Sequence, residues 1–454
     1  MSAGAPARRS QNGMAEKGNQ NHPVRTLVVK HFPPIREARL RFGKITVLIG
    51  PQASGKSLLY KLAFFLGGEI PEIAVESLLN GDSWNDFTAT ATVAFSSRFS
   101  PANWLRKDSV ATLSSGHYFA EIRGNADPLK PSLQISFSED FKKLYSAIIR
   151  NHSNEQSYSG ASRSELRQDL WIKINMLLDP KLNQGVIYVP FGRSLFTDPA
   201  RLVSALQNPD LDWITRRFAG QVIWDQKWKV GLLTTGRDTL QGIQKEMAKL
   251  VGGEVSVRGG TPRFTSVEGR ELPLDRLSSG TLEMLPMFAL FTYLAFNQEH
   301  YSARTANTKI SPRADIIEYS PLIYLEEPET AIFPKTQYDI VKLLAWFAND
   351  PVLSFDWCIT THSPYVLSSF NNLLQAWQVA SSKPASVKRK VQRLIGEQYW
   401  IAPRCFEAYC INNGELESIM DSETGLIDGT YLDSVSSEIG AQFDELLRID
   451  YAKA

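Results

Sequence analysis

The stretch KITVLIGPQASGKSLLYKLAFFL, Lys44 to Leu66, joins an apolar run, a glycine-bounded loop and a helical pattern. Its loop Gly50–Ser57 (GPQASGKS) fits the pattern G-x-x-x-x-G-K-[ST]. Glycines in this pattern let backbone amides turn toward phosphate oxygens, and the following helix adds positive potential at its amino end. Lys56 would reach the β- and γ-phosphates, and the Ser57 hydroxyl would bind Mg²⁺. We therefore prefer a phosphate-binding loop to a glycine turn that only caps a helix.

The composition is that of an ordinary globular protein. The 454 residues are 43% hydrophobic and 21% charged, and this length allows two or three domains. The net charge of +1 argues against a protein that coats a polyanion, although a local basic face remains open. The three cysteines fit neither a disulfide framework nor a four-ligand zinc site, so we predict a reducing, cytoplasmic location.

The sequence predicts neither a membrane span nor a secretion signal. The longest apolar run, Met284 to Phe296, has 13 residues, fewer than the roughly 20 that a bilayer requires. We expect a buried helix there. Residues 1–23 carry basic residues without the apolar core of a signal peptide, and their polar composition predicts a disordered tail.

Hydrophobic patterns predict the order of strands and helices along the chain. Strands are expected at TLVVK, EARLRF, KITVLIG, VIYVP, PLIYL and CITT, with strand-like runs at Ala89–Phe95, Tyr118–Ile122 and Leu133–Phe137. Helices are expected at SLLYKLAFFL, ELRQDLWIKINMLL and TLQGIQKEMAKLV. The polar stretch Asn151–Ser164 is the best internal boundary. We divide the chain into a tail (1–23), a core lobe with the phosphate loop (24–150), a helical insertion (151–270), a second core part (271–380) and a C-terminal segment with an acidic end (381–454).

Three further motifs follow the loop. Leu322–Glu327 (LIYLEE) is an apolar strand that ends in two carboxylates, one suited to the Mg²⁺ shell and one to an attacking water, although surface acids at a strand end are common. Leu277–Thr281 (LSSGT) precedes the long apolar helix and would bind an anion or only cap that helix. Thr360–Pro364 (TTHSP) places His362 at a strand end, where a structural role is the alternative.

These four motifs, in this order, resemble those of the ATP-binding-cassette (ABC) ATPase superfamily, and most closely the branch of OLD-family and Rad50/SMC-like heads. The resemblance implies an α/β fold: a P-loop NTPase, here an ABC-ATPase head with a mixed β-sheet core, an antiparallel β portion and a helical lobe. It implies ATP hydrolysis with ATP and Mg²⁺ as cofactors. It is dense around Ile45–Leu59 and Leu272–Leu373 and thin between them.

The resemblance also implies roles for individual residues. Glu326 takes the Mg²⁺-associated position with Ser57, Glu327 the general-base position, and His362 that of a histidine that senses the γ-phosphate. Two groups bind nucleotide. One is the loop, Gly50, Pro51, Gln52, Ala53, Ser54, Gly55, Lys56 and Ser57, and the other, acting on the opposite subunit of a head-to-tail dimer, is Leu277, Ser278, Ser279 and Gly280. The chain departs from the superfamily pattern at Glu326, where aspartate is usual, and at Ser279, where glycine is usual.

Spacing narrows the choice within the superfamily. The segment from Ser57 to Leu277 is long for a transporter cassette, lacks the heptads of a full SMC protein, and no TOPRIM pattern follows His362. The chain thus resembles the ATPase subunits of bacterial anti-phage systems such as Septu, retron-associated ATPases and PARIS. We expect a homodimer or a higher even-numbered oligomer that acts as a nucleotide switch and controls a separate effector protein, with no membrane. The alternative is a DNA-binding SMC-like repair or structural factor.

Two basic stretches are candidate nucleic-acid contacts. Lys383–Arg393 has five basic residues and no acid, and Asp212–Lys229 interleaves tryptophans with arginines and lysines. A solvated loop and an amphipathic helix, respectively, are the preferred alternatives.

Two polar side chains have no settled role. Gln134 is a weak candidate for the glutamine that ABC ATPases place near the nucleotide, and an exposed strand glutamine is the preferred interpretation. Tyr188–Ser194 (YVPFGRS) resembles a segment of the same ATPases. Its Arg193 would contact phosphate or a dimer partner, or form a structural salt bridge.

Overall fold

The computed structural model describes most of the chain. The described residues are 24–106, 108–125, 132–152, 162–178, 185–197, 207–208, 211–224, 238–258, 261–307, 321–429, 441–446 and 448. The predicted tail 1–23 and most of the predicted boundary Asn151–Ser164 lie outside these residues.

Fourteen strands occur in the described residues: β1 Thr26–Phe32, β2 Ile35–Arg41, β3 Ile45–Ile49, β4 Ser109–Ser115, β5 Tyr118–Asn125, β6 Ser132–Phe137, β7 Val186–Val189, β8 Gly253–Arg258, β9 Thr261–Ser266, β10 Glu271–Pro273, β11 Leu322–Glu326, β12 Asp356–Thr361, β13 Phe406–Asn412 and β14 Glu415–Ser418. Eleven form one sheet in the order β6-β5-β4-β1-β2-β14-β13-β3-β12-β11-β7, and β10-β9-β8 form a small second sheet.

The helices of the described part are α1 Lys56–Phe64, α2 Ile70–Asn80, α3 Trp84–Arg98, α4 Pro101–Trp104, α5 Glu139–His152, α6 Arg163–Leu178, α7 Trp213–Trp224, α8 Asp238–Val251, α9 Ser279–Asn307, α10 Pro334–Asn349, α11 Pro364–Ser382 and α12 Ala385–Leu394. A π-helical turn, Phe65–Glu69, joins α1 to α2.

The large sheet has a parallel and an antiparallel half. Strands β13, β3, β12, β11 and β7 run parallel, while β6, β5, β4, β1 and β2 pair antiparallel. The predicted α/β fold with a mixed sheet and an antiparallel portion is therefore confirmed. Strands from all four ranges between residues 24 and 454 enter this sheet, β7 from 151–270 and β13 and β14 from 381–454.

Each face of the parallel half carries its own hydrophobic core. Successive strand residues point to opposite faces, so Leu48 and Tyr324 pack into the core formed with α1 to α3, while Val47 and Leu325 pack into the core formed with α9 to α11. Burial on both faces explains why β3 and β11 are almost continuously apolar. It also holds the ends of these strands firmly in place.

The strand expected at Ala89–Phe95 is wrong, because the segment belongs to helix α3. Its alternating Thr and Ala residues suggested a strand, but Ser83 and Asp86 form a reciprocal capping box that starts a helix. The hydroxyls of Thr88 and Thr92 donate to backbone carbonyls four residues earlier, which satisfies these side chains inside the helix.

Helix α9 contains the apolar run that was expected to be a buried helix. By length and composition its segment Ser279–Gln298 could cross a membrane, but 72% of the apolar window is buried inside the protein. Among the described residues it is the one helix of this kind. Its apolar residues pack in the core between the sheet and helices α8 and α10, as predicted for Met284–Phe296.

Candidate functional site

Three motifs meet at one edge of the parallel half of the sheet. The loop Gly50–Ser57 follows β3, Glu326 ends β11, and His362 follows β12. Strand β12 lies between the other two, and its Thr360 pairs with Leu48 on one side and Glu326 on the other. Because the carboxyl ends of parallel strands share an edge, ligands bind there in open α/β sheets.

The backbone of the loop is sharply turned. Gly50, Ala53 and Gly55 have φ values of +154°, +58° and +105°, in the range where glycine is favoured. A side chain at Gly50 would run into the carbonyl oxygen of Ile411 on the neighbouring strand β13. The Ser54 hydroxyl is buried and has no hydrogen-bond partner among the described residues. Such a tightly held loop with an unused hydroxyl fits a phosphate-sized ligand.

Lys56 is turned back onto its own loop. Its ammonium donates to the carbonyl oxygens of Gly50 at 2.7 Å and Pro51 at 2.8 Å. Burial lowers the pKa of Lys56, and the neighbouring Glu327 carboxylate opposes this effect. The lysine is therefore a preformed positive charge inside the loop.

Glu327 leaves the strand in a strained conformation. Its φ of +41° lies in the left-handed region, which costs a non-glycine residue about 1–3 kcal/mol and persists only where neighbours hold it. Its N–H donates to the Thr360 carbonyl at 3.0 Å. Its carboxylate lies 3.4 Å from Nε2 of His362 and accepts a hydrogen bond from the Thr330 hydroxyl at 3.3 Å. Both Glu327 and His362 have side chains 32% exposed, so water reaches the pair.

Glu326 occupies a different place. Its side chain is buried, and its two oxygens accept hydrogen bonds from the Tyr188 hydroxyl at 2.7 Å and the Phe191 N–H at 3.2 Å. In the described structure no hydrogen bond or ion pair joins it to Lys56 or Ser57. The segment Tyr188–Ser194 thus wraps the end of β11, and the two adjacent glutamates contact different groups.

Glu329 is a site residue to which the sequence analysis assigned no role. Its Oε1 accepts hydrogen bonds from the Thr361 hydroxyl at 2.6 Å and the His362 N–H at 2.8 Å. Its Oε2 is buried without a hydrogen-bond partner in the described part of the chain. Burial raises the pKa of Glu329, and the nearby Glu327 adds to that rise. The available sequence signal was a third acid in the run Glu326–Glu329 (EEPE).

The LSSGT motif starts helix α9. The Ser278 hydroxyl accepts a hydrogen bond from the Thr281 N–H at 3.2 Å, and Ser278 and Ser279 are exposed. Gly280 is buried, and a side chain there would come within 2.7 Å of the Ala331 carbonyl oxygen. Ser278 therefore caps the helix, and Gly280 lets the helix approach the loop that follows Glu327.

Arg193 is completely buried, so the structural alternative describes it. Its guanidinium donates to the carbonyl oxygens of Glu326 at 2.6 Å and Glu327 at 3.1 Å. The partner charge is Glu283 on α9, whose carboxylate oxygen lies 3.6 Å from Nε of Arg193. Burial lowers the pKa of Arg193, while Glu283 and the neighbouring glutamates oppose this effect. Sequence reasoning missed Glu283, a single acid beside an apolar run.

The basic and aromatic stretch Asp212–Lys229 is structural where it is described. Trp213 packs against Phe64 and Phe99, and Arg217 forms ion pairs with Glu69 and Glu72. Residues 225–229 lie outside the described part.

The structure also shows where the glutamine candidate, Gln134, and the second nucleic-acid candidate, Lys383–Arg393, lie. Gln134 is exposed on the edge strand β6, at the far end of the sheet from β3. The segment Lys383–Arg393 was expected to be a loop if it binds nothing, but it forms helix α12, in which no residue is buried.

Comparison with known proteins gives a match to an ATPase domain. Residues 221–367 match the AAA ATPase domain family, a range that holds Ser278, Glu326, Glu327 and His362 but not the loop Gly50–Ser57. The chain matches none of the curated proteins. By its match to the ATPase domain family, the chain is similar to P-loop ATPases, as the motifs predicted.

Solved structures with a similar arrangement include heads of SMC proteins. The SMC head domain from Thermotoga maritima is 10% identical, with a TM-score of 0.38, over 87% of this chain and 98% of that one. An SmcHead bound to the C-winged helix domain of ScpA is 11% identical, with a TM-score of 0.39, over 87% and 96%.

Proposed function

We propose that the protein binds ATP on the loop Gly50–Ser57 and hydrolyses it with Glu327 as general base. The observation that carries this proposal is the shared sheet edge, where the Lys56 loop, Glu327 and His362 follow three neighbouring parallel strands. ATP hydrolysis needs a phosphate cradle with positive charge, a base for the attacking water and a group at the γ-phosphate. The three strand ends supply one of each.

Mg²⁺ fits the oxygen ligands of this site. The Ser57 hydroxyl and the Glu326 carboxylate are the hard donors that Mg²⁺ prefers. The described residues contain no cluster of three or more His, Cys, Asp or Glu side chains placed to hold a metal, which suits an ion that takes most ligands from phosphate and water. Both Glu326 oxygens already accept hydrogen bonds, and Ser57 and Glu326 are the residues that would hold the ion. Bound there, Mg²⁺ would neutralise charge on the phosphate oxygens.

Different residues of the chain then have different roles in ATP binding and hydrolysis. Lys56 exchanges its two carbonyl partners for phosphate oxygens, and Glu327 takes the proton of the attacking water. His362, 3.4 Å from Glu327, stands where it orients that water and responds to the γ-phosphate. Glu329 fixes the backbone of His362 through the hydrogen bond at 2.8 Å.

We further propose a head-to-tail homodimer as the working form. Ser278 and Ser279 are exposed, as residues that act on a partner's nucleotide must be. Three aromatic side chains that neighbour site residues in sequence are also exposed, Phe191 by 60%, Phe333 by 75% and Tyr365 by 55%. Large exposed apolar side chains around a functional edge are typical of a contact surface.

Lys56→Ala tests the binding half of this proposal. The variant removes the one positive charge of the loop, so ATP affinity measured by calorimetry should fall by at least about 100-fold. Lys61→Ala is the matched control, because Lys61 lies on the same helix and pairs with Asp212 outside the loop. Equal ATP affinity in Lys56→Ala and wild type would exclude the loop as the nucleotide site.

The homodimer would act as a nucleotide switch: its ATP-bound and ATP-free states would control a separate effector protein in bacterial anti-phage defence. This part of the proposal is supported by the motif resemblance alone. Copurification from the native host with and without ATP, followed by mass spectrometry, tests it. A partner retained in one nucleotide state is expected, and the same partners in both states, or none, would contradict it.

Nucleic-acid binding is a second candidate function, favoured by helix α12. No residue of the helix is buried, and its exposed side carries Arg389, Lys390 and Arg393 without an ion-pair partner in the described residues. Its Lys388 is paired with Glu397 at 2.7 Å. A helix with three open cations is suited to a phosphate backbone.

A further inference from the structure

Arg193 lies between two parts of the site that act on different nucleotides in the proposed dimer. Glu327 acts on the ATP bound by its own protomer, whereas Ser278 and Ser279 act on the ATP of the partner. Arg193 contacts the backbone of the first part and the helix that carries the second. The inference below rests on the proposed dimeric function.

The guanidinium holds the peptide that carries the general base. Nη1 of Arg193 donates to the Glu326 carbonyl at 2.6 Å and to the Pro190 carbonyl at 3.0 Å, and Nη2 donates to the Glu327 carbonyl at 3.1 Å. The planar fork of arginine fixes both acceptors at once, which the single ammonium of lysine cannot do. Glu327, at a φ of +41°, needs such external support.

The same side chain is tied to the first turns of α9. Nε of Arg193 donates to the Glu283 carbonyl at 3.3 Å and lies 3.6 Å from the Glu283 carboxylate. That carboxylate accepts hydrogen bonds from the backbone N–H of Arg193 at 2.9 Å and of Ser194 at 3.2 Å. Glu283 follows Ser279, the first residue of α9, by four positions, so one rigid helix connects it to the exposed serines.

We propose that the Arg193–Glu283 pair couples the two nucleotide sites of the dimer, with Arg193 as the positioning residue for Glu327. When Ser278 and Ser279 close on the partner's ATP, α9 shifts and carries Glu283 with it. Arg193 follows, because separating this buried pair would leave uncompensated charge in the protein interior. The Glu326–Glu327 peptide moves with the guanidinium, and the base is held in its working position more of the time when the opposite site is filled.

The test uses two full-length copies joined in tandem by a flexible linker, so that assembly does not limit the rate. The second copy keeps its own working site. The first copy carries either Glu327→Gln, which leaves its site filled with uncleaved ATP, or Lys56→Ala, which leaves it empty. The measured quantity is the ratio of the hydrolysis rates, filled over empty, at saturating ATP. Coupling typically changes such quantities about 5-fold or more, and we expect a ratio of at least that size.

Arg193→Lys and Glu283→Gln then locate the coupling. Placed in the second copy, each should bring the ratio close to one, because the path from α9 to Glu327 is cut in the protomer whose base is active. Placed in the first copy, the same substitution should leave the ratio unchanged, which makes it the matched control. A variant that only weakens the fold lowers both rates and preserves the ratio. Glu283→Gln keeps one oxygen that accepts a hydrogen bond from an N–H group and removes the charge, and it serves where Arg193→Lys folds poorly.

Different outcomes of this experiment contradict the coupling through Arg193 and Glu283 and the proposed ATP hydrolysis. A ratio near one when Arg193 and Glu283 are both intact in the second copy, or a ratio that survives Arg193→Lys and Glu283→Gln there, overturns the coupling alone. If the tandem wild type does not hydrolyse ATP, or its Glu327→Gln copy hydrolyses normally, the proposed function fails and the coupling falls with it.

Discussion

The carboxyl group of Glu329 combines burial with an unpartnered oxygen. Its Oε1 is fully used by Thr361 and His362, while Oε2 has no hydrogen-bond partner among the described residues. Burial disfavours the charged form of Glu329 and raises its pKa above 4.5, the ordinary value of a glutamate side chain. The folded protein therefore binds a proton at a higher pH than the unfolded chain does.

Glu329→Gln should remove a pH dependence of stability. Between pH 4.5 and the raised pKa the folded state holds more protons than the unfolded state, so wild-type stability falls as the pH rises through this window. Glutamine cannot titrate, and its Oε1 keeps both hydrogen bonds. Denaturant unfolding without nucleotide, from pH 5 to 8, should show wild type losing stability relative to the variant. The exposed Glu268→Gln is the control, and parallel curves for wild type and Glu329→Gln would contradict the account.

Much of the element order could be predicted from the sequence. The strands around the phosphate loop and at VIYVP, PLIYL and CITT are confirmed as β1, β2, β3, β7, β11 and β12. Strands β3, β7, β11 and β12 could be predicted because buried parallel strands are continuous apolar runs bounded by turn residues. The antiparallel strands β1 and β2 were indicated by a mixture of apolar and polar residues that places one face of each strand in the core. The error at Ala89–Phe95 arose because alternating Thr and Ala imitate a strand, while the capping box at Ser83 and Asp86 decides for a helix.

The long-range contacts of the site could not be predicted. The motifs named Glu327 and His362, but the links from Arg193 to Glu283 and from Tyr188 to Glu326 span 90 and 138 residues. No local pattern specifies such pairs, because they depend on how β7 and α9 pack beside β11. The same holds for Arg217, whose basic character suggested nucleic acid although its charge is used inside the protein.

Helix α12 allows a test of nucleic-acid binding at the level of one element. Arg389→Glu, Lys390→Glu and Arg393→Glu together should weaken binding of single- or double-stranded DNA and lower the slope of log affinity against log salt by about 2–3. Exchanging Lys142, Lys143 and Lys245 for Glu makes the same change in net charge on other helices. Identical affinity and salt slope in the α12 variant and wild type would leave α12 as a solvated helix.

In the whole dimer, substitution of Ser278 tests whether each ATP site is formed by residues of both protomers. Ser278→Asp keeps a good helix cap but adds negative charge facing the partner's γ-phosphate. ATP binding should stay near wild type, while hydrolysis should fall about 10²–10³-fold, as for loss of a group that stabilises the transition state. Ser278→Asn, a neutral cap of similar size, is the control.

Mixing Ser278→Asp with Lys56→Ala protein completes that test. A mixed dimer has one site with an intact Lys56 and an intact Ser278 from opposite protomers, so part of the activity should return, at a rate held down by the empty opposite site. Two inactive variants that remain inactive when mixed would show that Ser278 acts within its own protomer or only as a helix cap.

The role of Glu327 as general base is tested most directly by single-turnover ATP hydrolysis by Glu327→Gln and Glu326→Gln, with light scattering of each protein in ATP. We expect Glu327→Gln to bind ATP, to hydrolyse it about 10²–10⁴-fold more slowly than wild type, and to remain dimeric while ATP is uncleaved. Glu326→Gln should weaken Mg²⁺-dependent ATP binding as well as turnover. Hydrolysis by Glu327→Gln at a near wild-type rate would contradict the account.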